Sequence, residues 1–248
     1  MTTTDARPLA LITGAARRIG ATIARSLHAA GYDVALHCRR SRSELDALIG
    51  ELENARAGST LALQAELADA AQLAPLVAAA VERFGRLDGL VNNASAFYPT
   101  PLSTITPVQW DELFAANARA PLFLAQAAAP HLAARRGAIV NLIDIYAEHS
   151  LAQHSVYTMA KAALAALTRS LALDLAPDVR VNGVAPGAVL WPEAGKAPAE
   201  QQQLIARTPL RRAGTPEDVA GAVLWLLRDA AFVTGQIIRV DGGRSLAI

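Results

Sequence analysis

Short apolar runs recur along the chain, each followed by a longer stretch with apolar residues at three- and four-residue intervals. The runs at 9–13, 33–38, 60–65, 87–92, 138–143, 179–185 and 235–240 predict seven strands. The intervening spacing predicts helices over 19–30, 43–57, 69–84, from 106 onward, 157–175 and 215–227. Gly31, Gly58 and Gly85 are expected helix stops, and Ser43 and Asp69 are expected caps. Helical sequence follows Thr106, with Pro107 at a tolerated first-turn position, and Thr215 and Pro216 are expected to start the last helix. Pro121 and Pro130 are expected to bend or shorten the helix after Thr106. Such regular alternation predicts an α/β chain, a parallel sheet doubly wound with helices on both faces. The 248 residues suit one large domain or two small ones, and with no repeat and no low-complexity linker to split the chain, a single domain over 1–248 is expected. The stretch 186–203, with Pro192, Gly195 and Pro198, reads as irregular. A segment of that length points to a binding loop or lid, taken here as a substrate loop over 186–210.

Composition narrows the class. Hydrophobic residues make up 52% and charged residues 18%, which excludes a disordered chain. The 23 Lys and Arg against 22 Asp and Glu leave a net charge of +1, so neither nucleic acid nor a membrane surface is an expected partner. The richest apolar stretch, 220–227, falls short of the roughly 20 residues that a spanning helix needs. The first residues carry no basic segment followed by an apolar run, so no secretory signal is expected. One cysteine, Cys38, excludes an internal disulfide and a multi-cysteine zinc site, and fits a reducing, cytoplasmic location. No metal site is expected.

Candidate chemistry begins where the first strand runs into Thr13-Gly14-Ala15-Ala16-Arg17-Arg18-Ile19-Gly20. Small residues between strand and helix let backbone amides approach a diphosphate, whose charge the helix N-terminus stabilises. After the second strand comes His37-Cys38-Arg39-Arg40-Ser41. An NAD site usually offers an acid there; two guanidinium groups and a hydroxyl suit a 2′-phosphate, so NADPH/NADP is the expected cofactor. The competing reading is a solvated basic turn. Glu66-Leu67 and Asn92-Asn93-Ala94 end the third and fourth strands, where open α/β sheets bind ligands. Tyr157 and Lys161 stand at i and i+4, on one helical face, and an ammonium there is expected to lower the tyrosine pKa. Asp144 ends the fifth strand thirteen residues earlier, and Asn117 lies in the preceding helix, where it could bend the backbone and hold a water.

Together, the glycine turn, Asn92-Asn93-Ala94, Asn117, Tyr157/Lys161, Pro186-Gly187 and Val240-Asp241-Gly242-Gly243 resemble the short-chain dehydrogenase/reductase family over essentially the whole chain. The resemblance implies a single Rossmann-type domain with seven parallel strands flanked by helices, a nicotinamide cofactor and a homotetramer. It implies Tyr157 as catalytic acid, Lys161 as the holder of the nicotinamide ribose, and Asn117 as support for a proton relay. The cofactor set it implies is Gly14, Arg18, Ile19, Gly20, His37, Arg39, Arg40, Ser41, Glu66, Leu67, Asn93, Ala94 and Ser95, with Tyr157, Lys161, Pro186 and Gly187.

One position departs from the family: Asp144 stands where a serine is expected. A carboxylate repels a developing oxyanion but suits a basic ring nitrogen, which points to reduction of a C=N bond. With Thr-Gly-Ala-Ala-Arg-Arg-Ile-Gly, the His-Cys-Arg-Arg-Ser turn and 92–102, this is similar to the pteridine reductase branch. That branch implies a pterin or folate substrate stacked on Phe97, with Arg18, Ser95, Asp144 and Tyr157 around it. Leu190 and Trp191 either touch the pterin side chain or anchor the loop. His28 and His131 are expected at the surface or an interface, and His149 and His154 could border the site. A carbonyl reductase of the same fold, or a cofactor-sensing protein without chemistry, are the alternatives.

Overall fold

The computed structural model describes residues 7–190 and 197–247. Seven strands form one sheet: β1 (Leu9–Ile12), β2 (Asp33–Cys38), β3 (Thr60–Gln64), β4 (Gly89–Asn92), β5 (Ala138–Leu142), β6 (Arg180–Pro186) and β7 (Ile237–Val240). Their order is β3-β2-β1-β4-β5-β6-β7, and every neighbouring pair is parallel. The chain crosses from the β3 edge back to the middle between β3 and β4, so the strand order reverses beside β1. Such a switch point opens a crevice at the carboxyl ends of the strands.

Burial follows the two-residue period of the strands. In β1, Ala10 and Ile12 join one core with Val34, Leu36, Val140 and Val184; Leu9 and Leu11 join the other with Ala35, Leu90 and Ile139. Helices α1 (Arg18–Ala29), α2 (Arg42–Ala55) and α8 (Pro216–Arg228) cover the first face. Helices α3 (Leu73–Phe84), α5 (Ala120–Ala133) and α6 (Ser155–Asp174) cover the second. Because both faces are covered, the strands read as nearly continuous apolar runs.

Both expected threonine–proline starts form. Thr106 caps α4 (Pro107–Phe114) and Thr215 caps α8, each in a reciprocal capping box with Gln109 and Asp218. Gly85 ends α3 in the left-handed conformation. Other expectations need correction. Ser41, not Ser43, sits at the N-cap position of α2, and the Ser43 hydroxyl donates to Glu44 at 2.9 Å. The helix after Thr106 widens into a π-helical turn at Ala115–Arg119 before α5 begins. The wide turn falls just ahead of Pro121, where a regular α-helix would lose a hydrogen bond and crowd the ring against the Asn117 carbonyl. Pro198 starts a helix, α7 (Pro198–Ala206), inside the stretch expected to be irregular. His28 is buried rather than at the surface, its Nε2 2.8 Å from the Ser59 hydroxyl. No helix among the described residues is long and apolar enough to cross a membrane.

Candidate active site

The turn after β1 is built for close backbone approach. Gly14 has φ +64°, and a Cβ there would meet the Ala94 Cα at 2.9 Å. A Cβ on Gly20 would lie 2.2 Å from the Gly14 carbonyl oxygen. The Thr13 hydroxyl accepts from the Asn93 and Ala94 amides at 3.0 Å each, and Asn93 Nδ2 donates to the Thr13 and Gly14 carbonyls at 2.9 Å each. Asn93 therefore spends its amide group on bracing the turn. Arg18 stands at φ +55°, a conformation glycine adopts more cheaply. Helix α1 has no side-chain cap and no acid in its first turn, which leaves its N-terminal amides and dipole for an anion.

A cavity of about 500 Å³ opens over this turn. It is lined by Gly14, Arg18, Ile19, Gly20, His37, Arg39, Arg40, Ser41, Glu66, Leu67, Asn93, Ala94 and Ser95, the residues expected for the cofactor's diphosphate and adenosine half. Within it, the Arg39 Nε pairs with Glu66 at 2.5 Å, while Arg40 is exposed with no carboxylate partner among the described residues. The Ser41 hydroxyl makes no capping bond. His37 is buried, and its ring is fully engaged: Nδ1 accepts from the Gly14 amide at 3.2 Å and Nε2 lies 3.1 Å from the Ala65 carbonyl. That pairing needs the neutral tautomer with its proton on Nε2. Burial pushes the His37 pKa down, which favours the same neutral ring.

Across the switch point lies a second cavity of about 350 Å³. Arg18, Ile19, Asn93 and Ser95 line both, so the two form one cleft. Pro186, Gly187 and Leu190 form part of the second cavity's wall; Trp191 lies outside the described residues. Asp144 follows β5, and its Oδ1 accepts from the Tyr146 amide at 2.9 Å. Its Oδ2 accepts from the Tyr157 hydroxyl at 2.8 Å. Lys161, one turn along α6, is buried and donates to the Leu142 carbonyl at 2.8 Å.

The expected lowering of the tyrosine pKa is not found. Burial first, then the Asp144 carboxylate, raises Tyr157 well above its usual value. The lysine ammonium instead lies 5.8 Å from the ring centroid, committed to a backbone carbonyl. Burial also raises Asp144, opposed by the Tyr146 amide, the Tyr157 hydroxyl and Lys161. Lys161 is lowered to about 8, chiefly by burial. Tyr157 thus keeps its proton at neutral pH, and burial holds the Asp144 carboxyl above the ordinary carboxylate range, an arrangement suited to passing a proton on.

Asn117 occupies the π-helical turn, so its bend in the backbone is real. Its side chain is filled from three sides: Oδ1 accepts from the Ser95 hydroxyl at 2.7 Å, and Nδ2 donates to the Ala96 and Leu113 carbonyls at 2.9 Å each. Its link to the site runs through Ser95, which lines the same cavity as Tyr157. Phe97 is about half exposed (47%) and projects into the cavity. It meets the Tyr157 ring edge-on and stacks on His154, both at 4.8 Å between centroids. His154 is thus the histidine that borders the site, by supporting Phe97.

Sequence reasoning missed the cavity's other side, where Leu204 of α7 and Arg244 line the wall. Arg244 directly follows the Asp241-Gly242-Gly243 turn, and that position at the carboxyl end of the last strand was the available signal.

The comparisons agree with this architecture. Residues 14–245 match the family model described as enoyl-(acyl carrier protein) reductase. The chain is 38% identical to Pteridine reductase 1 of Leishmania tarentolae over 99% of each chain. It is 39% identical to the granaticin polyketide synthase putative ketoacyl reductase 2 of Streptomyces violaceoruber, over 96% of each. It is 34% identical to the 3-oxoacyl-(acyl-carrier-protein) reductase FabG of Staphylococcus aureus, over 94% of this chain and 96% of that one. With the parallel sheet, the glycine turn and the Tyr157/Lys161 pair in place, this protein is an oxidoreductase that belongs to the short-chain dehydrogenase/reductase family.

Proposed function

We propose that this chain is an NADPH-dependent pteridine reductase that converts 7,8-dihydropteridines to tetrahydropteridines, a single reductase domain with its substrate loop over 186–210. The observation that carries this reading is the carboxyl of Asp144 hydrogen-bonded to Tyr157 in a cavity walled by Phe97. A ketone reductase needs hydrogen-bond donors around an oxygen that turns negative. A second acceptor-bearing group there favours a substrate atom that gains a proton and stays neutral. The similarity to a protein named Pteridine reductase 1 supports the same choice, and the equally close ketoacyl reductases make it worth testing.

The residues present fit the cofactor. The open amides of α1 and the Gly14 turn would hold a diphosphate, and Arg40 with Ser41 and Arg39 would hold a 2′-phosphate. Bound there, NADPH supplies a hydride, which this reading directs to C6 of the dihydropteridine. Phe97 stacks on the flat ring and fixes its plane, worth roughly 0.5–1.5 kcal/mol beyond burial. Asp144, protonated through Tyr157, gives its proton to N5 directly or through a water, so that C6=N5 becomes a single bond carrying one new hydrogen at each end. Lys161 holds its charge one turn from Tyr157, where it stabilises the anion left on the pair once its proton has gone to the substrate.

The test is NADPH oxidation with dihydrobiopterin, dihydrofolate and a simple β-ketoester, using wild type and Asp144→Ser. Pterin-dependent oxidation by wild type is expected, with a loss of ~10²-fold or more in kcat for the variant. Turnover of the ketoester alone establishes a carbonyl reductase instead. Binding of NADPH without any turnover establishes a non-catalytic protein.

A further inference from the structure

We propose that Arg244 is a specificity-determining residue that receives a carboxylate on the substrate's tail. The preferred substrate is then a pteridine with an acidic tail, such as a dihydrofolate, rather than one with a neutral tail. This rests on the pteridine reading above and names the substrate class within it.

Arg244 is only 6% exposed, yet it lines the cavity that contains Asp144 and Tyr157. A buried guanidinium carries five donors and a fixed charge, and structures normally pair it with a carboxylate or several carbonyls. Here its one hydrogen bond among the described residues runs to the Leu204 carbonyl, at a long 3.4 Å. No described carboxylate lies within ion-pairing distance. The nearest acid in its own turn, Asp241, is engaged by the Gly243 and Ser245 amides at 2.9 and 2.8 Å. Among the described residues the single carboxylate lining the cavity, Asp144, is committed to Tyr146 and Tyr157. The remaining charged groups on the wall, Arg18 and Lys161, are cationic. The cavity therefore carries an excess of positive charge, with a forked donor seated beside α7. A planar carboxylate matches that fork in bidentate geometry. The wall of the same cavity also includes apolar Val189, Leu190 and Leu204, which suit the spacer between a pterin ring and an acidic end.

The experiment compares KM and kcat for dihydrofolate, its dimethyl ester and dihydrobiopterin, in wild type, Arg244→Leu and Arg244→Lys. In wild type, esterification is expected to raise KM about tenfold or more at little change in kcat. Arg244→Leu is expected to raise KM for dihydrofolate by a similar factor while leaving dihydrobiopterin nearly unchanged, and Arg244→Lys to recover part of the loss. A purely structural arginine would move both substrates together, and that result overturns the proposal. Should Arg244→Leu fail to fold, the ester comparison on wild type decides alone: equal KM for acid and ester overturns it. Reduction of dihydrobiopterin with no discrimination for the acidic tail removes this inference and leaves the pteridine reading standing. Reduction of no pterin at all removes both.

Discussion

The His37 ring sits between two backbone groups with opposite demands: the Gly14 amide needs an acceptor and the Ala65 carbonyl needs a donor. Only the neutral ring satisfies both. A second proton, on Nδ1, would set an N–H against the Gly14 N–H and push the glycine turn out of shape. Glu66 at the end of β3 is the facing charge that favours this protonation; burial opposes it and prevails. Because the folded-state pKa is depressed, the ring contributes full stability above its ordinary value near 6.5, and that stability is lost as pH falls below it. We predict that NADPH affinity falls more steeply below about pH 6.5 in wild type than in His37→Asn, which offers an acceptor but does not titrate. Binding curves at pH 5.5 and 7.5 check this, and parallel losses in the two proteins would refute it. The phosphate's own titration is common to both and cancels.

At the level of elements, the junction between β2 and α2 sets cofactor choice. Arg39 is held by Glu66, so a 2′-phosphate must compete with a carboxylate for it, whereas Arg40 has no carboxylate partner among the described residues. Arg40→Asp is therefore expected to lower the NADPH-over-NADH ratio of kcat/KM by about tenfold to a hundredfold, and more than Arg39→Asp does. Steady-state kinetics with both cofactors measures it, and an unchanged ratio places the phosphate elsewhere. This junction also marks the limit of what the sequence makes legible. Strand runs, threonine–proline helix starts and the Gly14 turn were readable because each is a local signal. The choice of Ser41 over Ser43 as the N-cap position, the π-helical turn before Pro121 and the helix α7 inside a Pro- and Gly-rich stretch were not. Each depends on what the segment packs against. The catalytic pair shows the same division. Spacing placed Tyr157 and Lys161 on one face, but only the fold brings Asp144 to the tyrosine hydroxyl and turns the lysine to Leu142. Arg244 enters the cleft from the far end of the chain, and its only mark in the sequence is its place directly after the Asp241-Gly242-Gly243 turn.

For the molecule as a whole, the cleft is a place where folding stability is given up. The sheet buries apolar side chains on both faces, yet Lys161 is 2% exposed within it, and its pKa is lowered to about 8 from 10.5. That difference corresponds to about 3 kcal/mol by which the folded state disfavours the charged lysine, the net of burial against the pull of the Asp144 charge. Between pH 10.5 and 8 the unfolded chain binds the proton and the folded chain does not, so this group lowers stability as pH falls through that window. Lys161→Met removes the buried charge and leaves one carbonyl without its donor, a loss of ~1–3 kcal/mol that nearly balances the gain. The expected outcome is a Tm at pH 7 within a few degrees of wild type or above it, together with loss of the stability rise between pH 8 and 10. Turnover should fall ~10²-fold or more in the same protein. Chemical denaturation across pH, read beside kinetics, tests the two halves together. A variant that unfolds far more easily at pH 7 would show that the ammonium holds the fold together, and that the cleft's charge is structural rather than retained for chemistry.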